Sequence, residues 1–124
     1  MDFKDLLAYK KAFDLAMNIY KVSKTFPKEE TYSLTDQIRR SSRSVCANMA
    51  EAYRKRIYPK YFISKLTDAD GENSETSTWL DFALNCDYIS KEMYVDLTNQ
   101  GNEIGKLINY MIKNPHKFGV KTES

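Results

Sequence analysis

A chain of 124 residues, 42% hydrophobic and 29% charged, has room for one domain and enough apolar material to bury its core, which argues against disorder. Four glycines and three prolines are too few for the many turns of a β-sandwich or barrel. A net charge of +2, taken alone, excludes a strongly cationic nucleic-acid binder.

Hydrophobic spacing predicts four helices. In the first, Leu6, Tyr9, Phe13, Ala16, Met17 and Tyr20 recur at steps of three and four, the signature of one helix face. Asp2 or Asp5 is placed to cap its start, and Phe26-Pro27 stops it. The second opens at Ser33-Leu34-Thr35-Asp36, a variant of the capping box, and carries Leu34, Ile38, Val45, Met49 and Ala52. Tyr58-Pro59 separates it from the third, where proline falls in the tolerated first turn. Phe62, Leu66, Ala69, Leu80, Ala83 and Leu84 are its apolar positions, with a polar stretch between them. Ser90 can cap the fourth helix, which carries Tyr94, Leu97, Ile104, Leu107, Ile108 and Met111 and ends at Asn114-Pro115. The expected fold is all-α, an antiparallel up-down-up-down four-helix bundle over residues 1–116, followed by a polar tail at 117–124.

The charge is segregated along the chain. Residues 1–36 are neutral overall, 37–65 carry +7, 66–103 carry −8 and 104–124 carry +3. Two readings stay open: the basic and acidic blocks face each other across helices or subunits, or the basic block meets an acidic partner or nucleic-acid phosphates. At ~100° per residue, Leu34, Ile38, Ser41, Val45, Met49 and Ala52 of the second helix form a core stripe. Gln37, Arg40, Ser44, Asn48 and Glu51 form a polar stripe beside it, and Arg39, Arg43 and Arg54 lie further out. Small Ser44 and amide-bearing Asn48 suit close packing and directed hydrogen bonds. The stripe is therefore a polar network between helices, or it lies at a subunit interface or lines a pore. Arginine is the side chain best shaped for bidentate contacts to phosphate.

The run from Phe26-Pro27-Lys28-Glu29-Glu30-Thr31-Tyr32 through Gln37-Ile38-Arg39-Arg40 to Asn48-Met49-Ala50-Glu51-Ala52 resembles the second-helix signature of a family of bacterial four-helix bundle proteins. These are named after the intervening sequences of 23S ribosomal RNA genes. Ala69-Asp70-Gly71, followed by Glu75, is similar to that family's third-helix element. Two positions depart from the pattern: Ala52 stands where glycine is usual, and Glu72 where serine is usual. The resemblance covers nearly the whole chain. It implies a closed antiparallel bundle that assembles as a ring, commonly a homopentamer, with no catalytic activity and no cofactor. A more distant similarity runs to the accessory proteins of diversity-generating retroelements, basic pentameric bundles thought to bind nucleic acid and a reverse transcriptase. The matching polar positions Gln37, Arg39, Arg40, Asn48, Glu51 and Glu75 carry a structural or assembly role under this resemblance.

The residues for other chemistry are missing from the sequence. Asp68-Ala69-Asp70-Gly71-Glu72-Asn73 has the look of a calcium loop, but aligning Gly71 puts Leu66 and Ser77 at the first and last ligand positions. The lone His116 excludes paired Glu-x-x-His metal sites and disfavours Ser/His or Cys/His nucleophile pairs. No GxxxxGK[ST] or GxGxxG is present. Cys46 and Cys86 form no CxxC and fit buried, reduced thiols in a cytoplasmic setting. No apolar run approaches the ~18 residues of a membrane span, so no membrane partner is expected. Tyr53, Tyr58 and Tyr61, beside Arg54–Lys60, are candidates to stack on a base.

The expectation is a non-enzymatic, self-assembling bundle that presents Arg39, Arg43, Arg54, Lys55, Arg56 and Lys60 to RNA or DNA, structured RNA first. Gln37, Arg40, Ser44, Asn48, Glu51 and Glu75 form its structural and assembly network. The alternative is a scaffolding bundle with a protein partner, for example a reverse transcriptase, and no direct nucleic-acid role.

Overall fold

A computed structural model of the chain describes residues 2–121. Four helices account for most of it: α1 (Leu7–Ser23), α2 (Leu34–Arg54), α3 (Pro59–Asn85) and α4 (Lys91–Lys113). Short 3-10 turns at Phe3–Asp5, Lys28–Glu30 and Pro115–Phe118 precede α1, link α1 to α2, and follow α4. Each helix packs on its neighbours in sequence, and α1 closes the square against α4. Cross-helix pairs give the direction of each. Arg40 meets Glu75 while Glu51 meets Lys65, and Asp70 meets Asn109 while Asp81 meets Tyr94. The α2/α3 and α3/α4 pairs are therefore antiparallel.

The core stripe of α2 is buried throughout, from Leu34 to Ala52. In α3, Phe62, Leu66, Ala69, Leu80 and Ala83 are buried as the spacing predicts. The polar stretch between them keeps the same register, because Asn73 and Thr76 continue the steps of three and four and are also buried. Their polar atoms are satisfied: the Asn73 amide donates to the Gly101 carbonyl of α4 at 2.9 Å, and the Thr76 and Ser41 hydroxyls lie 2.8 Å apart. These bonds pin α3 to both neighbours at mid-bundle.

The first helix departs from expectation. Its buried line is Ala8, Ala12, Leu15, Ala16 and Ile19, so of the six side chains predicted to face inward only Leu6 and Ala16 are buried. Phe13 is 50% exposed and Met17 42%. Small alanines let α1 approach the bundle closely and push the bulky stripe outward. The caps differ as well. Asp2 caps the first 3-10 turn, closing a capping box with Asp5, while α1 starts at Leu7 without a side-chain cap. Ser33 does not cap α2; its hydroxyl donates to Glu30, whose carboxylate also accepts from the Leu34 amide. Ser90 does cap α4, accepting from the Met93 amide at 3.1 Å.

Beyond 116 the chain does not leave the bundle at once. Phe118 packs against the core and Val120 is 3% exposed. The expected polar tail thus folds back as far as Val120, because an apolar pair ending a small domain has surface to bury. Residues 122–124 lie outside the described residues. Gly119 turns the chain there with φ 84, a left-handed conformation that suits glycine.

Candidate functional site

The two flanks of α2 treat their charges differently. On the α3 side, Arg40 bonds Glu75 at 2.5 Å and Glu72 at 3.3 Å, while its Nε donates to Gln37 at 3.2 Å. The Glu75 carboxylate also accepts from the Trp79 indole at 3.3 Å. The hydrogen bond from Arg40 holds the Glu75 carboxyl below its ordinary range, and the Arg40 guanidinium is raised in return. Glu72, where the resembled family usually has serine, serves here as a second acid for Arg40. One end along, Glu51 takes Lys65 at 3.4 Å and a hydrogen bond from the Tyr61 hydroxyl at 3.2 Å. Asn48 turns inward on its own helix and donates to the Ser44 carbonyl at 3.0 Å. Five of the six predicted network residues are thus joined in two α2–α3 clusters or within α2, and Ser44 contributes its carbonyl.

On the α1 side the cations have no such partners. Arg39 and Arg43, one turn apart, converge on the ring of Tyr20, with their Cζ atoms 4.8 and 5.7 Å from its centroid. Lys24, at the C-terminal end of α1, brings its Nζ to 4.7 Å from the same centroid. The Arg39 Nε donates to the Ser23 hydroxyl at 2.7 Å. A ring's negative face attracts each cation, but three of them also repel one another. Among the described residues no carboxylate forms an ion pair with any of the three.

The remaining basic residues lie roughly 16 Å further along α2 at its helical rise, so the predicted surface is divided into two groups. Arg54, Lys55 and Lys60 are exposed at the α2–α3 turn, beside Ile57 and Tyr58. The Lys55 ammonium sits 4.8 Å from the Tyr61 ring centroid. Arg56 has a different occupation. It covers the Tyr53 ring at 3.7 Å, donates to the Tyr53 carbonyl at 2.8 Å and reaches the Phe118 carbonyl at 3.1 Å, clasping the C-terminal turn. Tyr53 is buried under it and offers no face to a base, whereas Tyr58 and Tyr61 remain exposed.

Two hollows meet at Arg43 and Ala47. One, of about 420 Å³, is walled by Phe3, Tyr9, Phe13, Met17 and Tyr20 over a floor that includes Ala50. The other, of about 470 Å³, is lined by Arg39, Arg40, Thr31, Thr35, Asp36 and Ser44. Tyr20, Lys24, Phe13 and Met17 were not among the predicted site residues. In the sequence Phe13, Met17 and Tyr20 show only as a bulky stripe on α1 beside a periodic line of alanines, and Lys24 only as a basic residue where that helix ends.

Cys46 is buried, which pushes its thiol up to about 11 and keeps it in the neutral form near pH 7. Cys86, expected to be buried, is exposed at the end of α3. The Asp68–Asn73 segment is continuous helix within α3, and no group of three metal-ligating side chains occurs among the described residues. No helix of the described residues is long and apolar enough to cross a membrane.

Residues 4–110 match the family model described as 23S rRNA-intervening sequence protein. A crystal structure from Bacteroides thetaiotaomicron, described as a protein with unknown function from the S23 ribosomal protein family, superposes with a TM-score of 0.79 at 33% identity. The match covers 89% of this chain and 98% of that one. No curated protein matches. With the four-helix bundle, the α2 signature and a family match over most of its length, this chain belongs to the 23S rRNA-intervening sequence protein family.

Proposed function

We propose that the protein is a non-enzymatic, cytoplasmic, self-assembling bundle that binds nucleic acid, structured RNA in the first place, through the basic side chains of α2 and its exit turn. The observation that carries this reading is the contrast in charge pairing. Arg40 and Lys65 are consumed by acids of the same chain, whereas Arg39, Arg43, Arg54, Lys55 and Lys60 form no ion pair among the described residues. Arg56, also proposed for this surface, is in part committed to the C-terminal clasp. Self-assembly into a ring, a homopentamer by family resemblance, would multiply the free cations and so the phosphates one particle engages. Phe82, 54% exposed and paired with the Trp79 ring at the edge of a further hollow, is apolar surface that association would cover.

The test is a salt titration of RNA and DNA affinity. Phosphate contacts make log Kd rise linearly with log salt, and the Arg54→Glu/Lys55→Glu double variant should weaken binding and flatten that slope. Arg56 stays in place, since its loss would also loosen the C-terminal turn. Absence of binding at low salt overturns the reading and leaves the scaffolding alternative. Light scattering tests assembly: a stable monomer at micromolar concentration overturns the ring.

A further inference from the structure

We propose that the face between α1 and α2 is a site for an unpaired nucleotide, with a phosphate on Lys24, Arg39 and Arg43 and the base in the adjoining aromatic groove. This rests on the nucleic-acid reading and gives one of its two basic groups, Arg39 and Arg43, a specific ligand. Three observations converge on it. Lys24, Arg39 and Arg43 share one aromatic ring without a carboxylate partner, an arrangement that an oxyanion between them would relieve. The apolar groove is contiguous with this cluster, since Arg43 and Tyr20 line it. Its other wall is the half-exposed Phe13, whose ring lies 6.2 Å from that of Tyr9, with Met17 one turn on.

The two roles are divided among the aromatics. Tyr20 is occupied by cations, so it acts as their platform. Phe13, with Tyr9 behind it, is the surface open to a base. A positively charged strip beside exposed aromatic faces is the general solution for single-stranded nucleic acid, because every base has a π-face and every nucleotide a phosphate. A volume of about 420 Å³ suits a planar heterocycle. A paired duplex cannot use this groove, since its bases are stacked inside. Asp36 lines the cationic hollow and disfavours an anion on that side, which leaves the Tyr20 side of Arg39 and Arg43 as the phosphate position. Charge complementarity therefore favours an unpaired polynucleotide over an apolar protein segment as the occupant.

The experiment is a fluorescence-anisotropy titration of the full chain with a labelled oligouridylate and with an RNA duplex of matched length. Phe13→Ala should weaken oligouridylate binding about tenfold and leave duplex binding unchanged, while Phe13→Tyr restores it. Arg43→Ala should cost about tenfold and lower the salt slope by about one. Thermal melting shows that each variant is folded. Inorganic polyphosphate binding as tightly as the oligonucleotide would overturn the base contact. If Phe13→Ala binds both RNAs as the parent does while the Arg54→Glu/Lys55→Glu variant loses them, this site falls and the nucleic-acid reading stands. If the parent chain binds no polynucleotide, that reading falls too. If Phe13→Ala instead changes the particle mass at unchanged affinity, the groove is a contact between copies and the proposal is overturned.

Discussion

One helix, α2, presents arginines one residue apart to two different fates. Arg40 faces α3 and finds Glu72 and Glu75, while Arg39 faces α1 and finds Tyr20 and Ser23. Five of the nine acids of the acidic block sit on α3 and the rest on α4 or the turn before it, so the acids that reach α2 are those on the flank that α3 covers. The α1 flank receives aromatic and apolar side chains, which hold cations without cancelling their charge. A total of only +2 thus coexists with an uncompensated face. On this comparison, the α3 flank should govern stability and the α1 flank binding.

The largest effect should come from deep on the α3 side. Phe62→Ala removes a fully buried ring and should cost about 3–5 kcal/mol in denaturant unfolding, whereas Phe13→Ala on the open groove should stay within about 0.5 kcal/mol. A comparable cost at Phe13 would break the distinction between the flanks. Thr76→Val keeps the shape but leaves the buried Ser41 hydroxyl short of a partner, and a loss of about 1–2 kcal/mol is expected. Gly119→Ala should cost about 1–2 kcal/mol, because a Cβ there meets the Arg56 guanidinium at 2.8 Å in a left-handed backbone. The same variant tests whether the Arg56 clasp steadies the basic end of α2, read as faster amide exchange at Tyr53 and Phe118.

Smaller still is the ion pair itself. A double-mutant cycle on Arg40 and Glu75 should give about 0.5–1 kcal/mol, the range of partly exposed pairs. Its sign with pH is determined. The folded Glu75 carboxyl titrates below its unfolded value, so its contribution is present above the unfolded value of about 4.3 and is lost as pH falls through the folded one. Glu75→Gln should flatten the acid limb of the melting curve, and an unchanged limb would count against the pairing. At the opposite extreme Tyr88, raised to about 12 by its hydrogen bond to Glu30, contributes below pH ~10 and loses that contribution as pH rises through about 12. Tyr88→Phe should remove this alkaline dependence.

The legibility of the sequence differed between the same two flanks. The core stripe of α2 and the register of α3 were readable because large aliphatic residues alternate there with polar ones. The partners of Arg40 were not readable, since helical spacing places a residue on a face without saying which helix covers it. Glu72 shows this well: it stood out only as a departure from the family pattern, and the packing makes it a charge partner. In α1 the bulky stripe of Tyr9, Phe13 and Met17 outweighed the alanines in any hydrophobic pattern, yet the alanines are buried. The same bias hid Tyr20 and Phe13 as site residues. Arg56 could be read as basic, but not as a clasp on a turn more than sixty residues away.

Sequence alone determined the helix count, the breaks at Pro27, Pro59 and Pro115, and the division of charge along the chain, because these depend on local propensity and periodicity. Tertiary packing decided which of two apolar stripes on α1 entered the core. It also decided which arginines were neutralised, and that residues 117–120 belong to the bundle. Those outcomes depend on distances between residues far apart in the chain. They turn on how closely two helices can approach, a property that small alanines confer and that hydrophobicity does not encode.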